Sequence, residues 1–132
     1  MLNFLNKLSA VAIGTVFLFP SIAVQIASAS PNLGDGIICV AKGMTNQGHK
    51  IYFYTSVIDD NTIEKKQSVS VTINEFINGE MEPAALASTS YQGNDTFSGK
   101  SQAGSPISFT LLGNYSVVQI RHSGQTFTGI CH

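Results

Sequence analysis

The stretch Ile107-Ser-Phe-Thr-Leu-Leu-Gly-Asn-Tyr-Ser-Val-Val-Gln-Ile-Arg-His-Ser-Gly-Gln-Thr-Phe-Thr-Gly-Ile-Cys131 decides the fold class. Apolar residues recur in it at every second position, the period of a strand with one buried face. Gly113-Asn114 and Ser123-Gly124 interrupt the pattern where turns are expected. Read as two-residue hairpin turns, the first sets Leu112 opposite Tyr115, Phe109 opposite Val118 and Ile107 opposite Ile120. The second sets His122 opposite Gln125 and Ile120 opposite Phe127. Both turns place Ile120 on one face with Ile107, Phe109, Leu111, Val118 and Phe127, so that face is the predicted core and Thr128 lies outside it.

Working outward, short β-rich runs bounded by Gly, Asn, Asp, Ser and Pro continue back to Ile37, with no run of helical period long enough to compete. Strands are predicted near 37–42, 50–58, 67–77, 86–92, 96–101, 106–112, 115–122 and 125–131. The expected fold is all-β: about eight short antiparallel strands in a small barrel or a compact sandwich. Ile51 to Ile58 is apolar on both alternate faces, as in a central strand or one whose tyrosines are exposed. Val69, Val71 and Ile73 alternate cleanly, then Glu75 breaks the pattern, and a bulge near Asn74-Glu75 would explain the slip. The longest connection runs from Asn78 to Ala85 and carries Glu80, Glu82 and Pro83; it reads as a crossover or a single helical turn from Pro83.

The compartment is read from the first thirty residues. Lys7, the apolar run Leu8 to Val24 and the small residues Ala27 and Ala29 have the order of a secretory signal peptide. Residues 1–29 are therefore expected to be removed, leaving 30–132 as a single all-β domain, secreted or periplasmic, with no membrane span in the mature chain. In that compartment Cys39 and Cys131 are expected to pair. Cys131 shares the phase of Phe127, and Cys39 that of Ile37, so the first and last strands should meet. Charged residues make up 11% of the chain, against about 25% in an average soluble protein, and no basic stripe exists to neutralise phosphates. Nucleic acid is accordingly excluded as an expected partner.

Catalytic and cofactor patterns are absent from the sequence: there is no GxSxG elbow, HExxH, CxxC or Walker loop, and no cofactor or catalytic residue is expected. His122 and His132 fall on the order of 23 Å apart along the predicted strands, too far to share an ion. Asp59-Asp60-Asn61 and Glu64 lack the spacing of a calcium loop and read as a turn; Gly93-Asn94-Asp95 reads likewise. Asn94-Asp95-Thr96 and Asn114-Tyr115-Ser116 match the N-glycosylation acceptor pattern.

The face opposite the predicted core carries Ser108, Thr110, Gln119, Arg121, Thr126 and Thr128, interrupted by Val117. It is a hydroxyl- and amide-rich surface suited to sugars or a protein, with Arg121 able to make a forked pair to a carboxylate. Candidate binding residues are Arg121, Gln119, Thr126 and Thr128, with Glu80 and Glu82 on the long connection. Eight strands with bridged ends, together with Ser123-Gly124-Gln125-Thr126-Phe127, resemble the small exported lysozyme-inhibitor barrels of the membrane-bound and periplasmic C-type families. Those families carry Ser-Gly-x-x-Tyr; here Phe127 replaces the tyrosine, and the second, lysine-glycine-ended motif is absent, so the resemblance implies architecture alone. The expected function is a non-catalytic binding or interaction module, inhibitor-like in kind, with an extracytoplasmic protein or glycan as partner. The alternatives are a barrel carrying an apolar ligand between Tyr52, Tyr54 and Phe97, or an enzyme of unrecognised type.

Overall fold

Three two-residue turns, Asn78-Gly79, Asn94-Asp95 and Ser123-Gly124, have both central residues at positive φ, between 52° and 81°. That geometry matches the right-handed twist of flanking strands, which is why Asn, Asp and Gly dominate these turns and why adjacent segments pair antiparallel. The computed structural model describes residues 31–132; the expected signal peptide, 1–29, lies outside the described residues. The strands are β1 (Cys39–Met44), β2 (Lys50–Thr55), β3 (Ser68–Ile77), β4 (Glu80–Met81), β5 (Ala85–Gly93), β6 (Thr96–Ser101), β7 (Pro106–Leu112), β8 (Val117–His122) and β9 (Gln125–Cys131). They run β2-β1-β9-β8-β7-β6-β5-β3-β4, and β2 also pairs with β3. That last pairing closes eight strands into an antiparallel barrel and leaves β4 as an extra strand on β3, which settles barrel against sandwich.

Closure requires sharp coiling where β5 meets β6 and where β9 meets β1. A Cβ at Gly99 would sit 1.8 Å from the Ser88 carbonyl oxygen, and one at Gly129 would sit 1.9 Å from that of Val40. Only glycine allows the backbones so close, the usual role of an inward-phase glycine at a barrel corner. The interior is filled by side chains: Phe53, Phe97, Phe109, Ile120, Val69, Val71 and Val118 are all buried, and Phe97 stacks on Phe109 with centroids 4.8 Å apart. The disulfide Cys39–Cys131 joins directly opposed residues of β1 and β9. Their neighbours Ile38 and His132 exchange both backbone hydrogen bonds, so the cysteines occupy the adjacent non-hydrogen-bonded pair, where side chains approach most closely.

Several boundaries and registers differ from expectation. The β8–β9 pairing has Ile120 opposite Phe127 and His122 opposite Gln125, as predicted. In the β7–β8 pairing, however, Phe109 faces Ile120 and Ile107 faces His122, two residues away from the predicted register. Gly113, Asn114 and Tyr115 all take positive φ, and residues 113–116 form a four-residue loop. A two-residue turn would have put Tyr115 outward beside exposed Leu112; the longer loop lets Tyr115 pack against the core. Because the shift is even, every predicted face survives, but Ile120 lies between Phe109 and Phe127 rather than beside Ile107.

At Asn74-Glu75 there is no bulge, since β2 and β3 pair without a slip from Thr55–Val71 to Lys50–Phe76. The irregularities fall instead between Tyr91 and Gly93 and across Glu82-Pro83-Ala84, where the register against β3 changes by one residue between Met81 and Ala85. The connection 78–85 is thus a hairpin extension with no helical turn at Pro83. Residues 59–64 form a short helix α1 (Asp60–Glu64) rather than a plain turn. Asp59 accepts from the Thr62 amide at 2.8 Å and its own amide donates to the Thr62 hydroxyl at 3.3 Å, a capping box in which Thr stands for the usual acidic or amide residue. The Thr62 backbone and hydroxyl hydrogen bonds hold the Asp59 carboxyl below its usual range. Strand β1 begins at Cys39 because Ile37 makes only an isolated bridge to Ile58, and β2 ends at Thr55.

Candidate functional site

The two barrel ends differ in chemistry. One is plugged by apolar groups: Leu33, Ile37 and Ile58 are buried, and Ile63 and Tyr115 pack against the core. The other carries the connections 45–49, 78–79, 102–105 and 123–124, and polar side chains top its core. Glu75 keeps the inward phase of β3, one residue pair beyond Ile73, and its Oε2 accepts from His49 Nδ1 at 2.7 Å. His122 also points inward, its ring edge-on to Phe53 at 5.6 Å. Burial pushes its pKa below that of a free imidazole, and the Glu75 carboxylate opposes this. The Gln125 side chain spans two hairpins: its carbonyl accepts from the Asn46 amide and its NH2 donates to the Met44 carbonyl, each at 3.0 Å. This strap holds the 45–49 connection over a concavity of about 160 Å³ lined by Glu75, His122, Gln125 and Phe127.

Among the described residues no hydroxyl or thiol side chain hydrogen-bonds to either imidazole, and no group of three His, Cys, Asp or Glu is placed to hold a metal ion. His132 is exposed at the other end, beside Ile38.

The residues singled out on the outer face fall into transverse rows. Ser98, Ser108, Arg121 and Thr126 are consecutive cross-strand partners on β6 to β9, and Thr96, Thr110, Gln119 and Thr128 form the row beside them. Arg121, Gln119, Thr126 and Thr128 are exposed and do share one face. Glu80 and Glu82 are exposed as well, but they sit on and just after β4, across the barrel from β8, and are not brought to Arg121. Beside the Arg121 row the surface dips into a cleft of about 570 Å³.

A third row was visible in the sequence only as the interruption at Val117. Leu112, Val117, Ile130, Val40 and Tyr54 are successive cross-strand partners on five neighbouring strands. All five point outward; Ile130, Leu112 and Tyr54 are 59%, 43% and 39% exposed. Hairpin registers alone would not have revealed it, because it depends on β9 pairing with β1 across the closure. Tyr54 on this row, and Tyr52 two residues away, face outward, whereas Phe97 is in the core. The three residues of the apolar-carrier reading therefore share no cavity.

Comparison with known protein families, with characterised proteins and with solved structures finds no match. The five residues that resemble the lysozyme-inhibitor motif form the β8–β9 hairpin, with Ser123-Gly124 as its turn and Phe127 buried.

Proposed function

We propose that this chain is an exported, non-catalytic binding module that engages a partner protein through the outer face of β7, β8, β9, β1 and β2. The observation that carries this reading is the outward row Leu112–Val117–Ile130–Val40–Tyr54, in which Val117 and Val40 are half-buried and the other three exposed. Five apolar side chains in register across five strands form one continuous strip, whereas scattered single exposures would need no explanation. The strip grades into the uncharged row of Thr110, Gln119 and Thr128 and then into Arg121. An apolar centre with a polar margin that includes arginine is the usual anatomy of a protein interface. Export is supported by the order of residues in 1–29 and by a disulfide of the kind that persists in oxidising compartments. The non-catalytic reading is supported by imidazoles to which, among the described residues, no hydroxyl or thiol side chain hydrogen-bonds.

Affinity capture from the extracytoplasmic fraction of the native host tests the reading. Wild-type protein should enrich a partner that Ile130→Asp loses, with the melting temperature of the variant unchanged. Recovery of the same proteins by both would refute it.

A further inference from the structure

We propose that the cleft beside β6 and the β8–β9 hairpin is a separate binding site for an anionic group, a carboxylate or an oxyanion such as sulfate, carried by a small hydroxylated molecule. The cleft, about 570 Å³, is lined by Ser98, Lys100, Ser108, Arg121, Ser123 and Gln125, among others, and by no acidic residue. Its volume is in the range of small-molecule sites, roughly 300–1,000 Å³. Register explains the convergence of its two cations. Lys100 pairs with Pro106 on β7, and Arg121 pairs with Ser108, the next outward residue along that strand. Two strand spacings across and two residues along separate their backbones by roughly 12 Å, a gap that two long side chains on the same face can close over one anion.

Neither cationic head has a partner among the described residues. Among the described residues the one ion pair is His49–Glu75, and neither Arg121 and Lys100 nor the hydroxyls of Ser98, Ser108 and Ser123 hydrogen-bond to another described side chain or backbone group. Glu75, the carboxylate in the lining of the concavity that shares His122, Ser123 and Gln125 with the cleft, is already engaged by His49. A guanidinium fork and an ammonium, unpaired among the described residues, donate only, and the three hydroxyls beside them can donate as well; an oxyanion supplies the negative acceptor that the two cations lack. The hydroxyls and the Pro106 ring would then meet the uncharged part of the ligand. This site shares Arg121 with the margin of the proposed protein interface but no residue with the apolar strip, and its test needs no partner protein.

The experiment is a backbone-amide NMR titration with sodium sulfate, sodium glucuronate and glucose, at ionic strength held constant with sodium chloride so that general screening does not contribute. Sulfate or glucuronate should shift the amides of residues 98–100, 107–108 and 121–125 saturably, with Kd on the order of 1–10 mM, while glucose should not. Arg121→Gln and Lys100→Gln should each weaken binding about tenfold, and Lys42→Gln, a cation outside the cleft, should leave it unchanged. Glucose acting as well as glucuronate, no saturable shift with either anion, or full affinity in Arg121→Gln would each overturn the proposal.

Discussion

Reducing the Cys39–Cys131 bridge should cost as much stability as truncating a large core side chain of this barrel, because of where it sits. Strands β1 and β9 are held together by three residue pairs, Cys39–Cys131, Val40–Ile130 and Ala41–Gly129, extended by the backbone hydrogen bonds between Ile38 and His132, whereas β7 and β8 share six. The shortest seam of the ring is therefore the one the disulfide spans, and it joins residues 92 apart in sequence. In the chain-entropy treatment a loop of that length restricts the unfolded state by about 4.6 kcal/mol. For a domain of about a hundred residues each kcal/mol is roughly 4–8 °C in melting temperature, so reduction should lower it by about 20–35 °C. Because both cysteines are buried in the folded barrel, the thiols should be generated in denaturant and kept reduced during refolding. The assay is urea unfolding of oxidised and reduced protein of identical sequence, which avoids the cavity that a cysteine substitution would leave. The oxidised form should also show a smaller m-value, since its looped unfolded chain exposes less surface. A difference below about 1 kcal/mol would mean that the seam is held by its backbone pairs and core contacts, and that the entropic reasoning fails here.

Ile120 is fully buried between Phe109 and Phe127, so Ile120→Ala should cost about 2–5 kcal/mol in urea unfolding, while Thr128→Ala, on the exposed side, should stay within roughly 0.5 kcal/mol. Gly99→Ala should cost about 3 kcal/mol, because the new methyl meets the Ser88 backbone and no flexible side chain can yield. The folded state lowers the His122 pKa by burial, so the unfolded chain takes up that proton first. Its contribution is then complete above about pH 6.5 and is lost as pH falls through the folded value; unfolding free energies from pH 8 to 5 should flatten in His122→Gln. Arg121→Ala, at an exposed position, should leave the melting temperature within about 2 °C of wild type while weakening capture of the partner.

How much was legible follows from parity. The core face of β7 to β9 was readable from alternation alone, and it survived a two-residue error in the 113–116 loop because an even slip leaves each side chain on its own side. The pairing of Cys39 with Cys131 was readable for the same reason, each cysteine holding the phase of a core residue. Parity misleads at Glu75: a charge on the inward phase reads as a bulge, whereas the barrel end tolerates it by pairing it with His49 at 2.7 Å. An unbroken period with an acidic residue at a strand end would have been the signal for that pair. Helix α1 was missed because its capping box uses Thr62 in place of Glu or Gln. The apolar row and the Lys100–Arg121 cleft were out of reach, since each depends on residues from strands joined only when the ring closes or packs three abreast.

The most direct test of the binding reading is photo-crosslinking from the strip itself. A photoreactive residue placed at Ile130 in the exported protein should give a discrete covalent adduct with one partner in the native host. The same residue at Ser88, exposed on β5 across the barrel, should give none. No adduct from position 130, or the same adducts from both positions, would contradict the account.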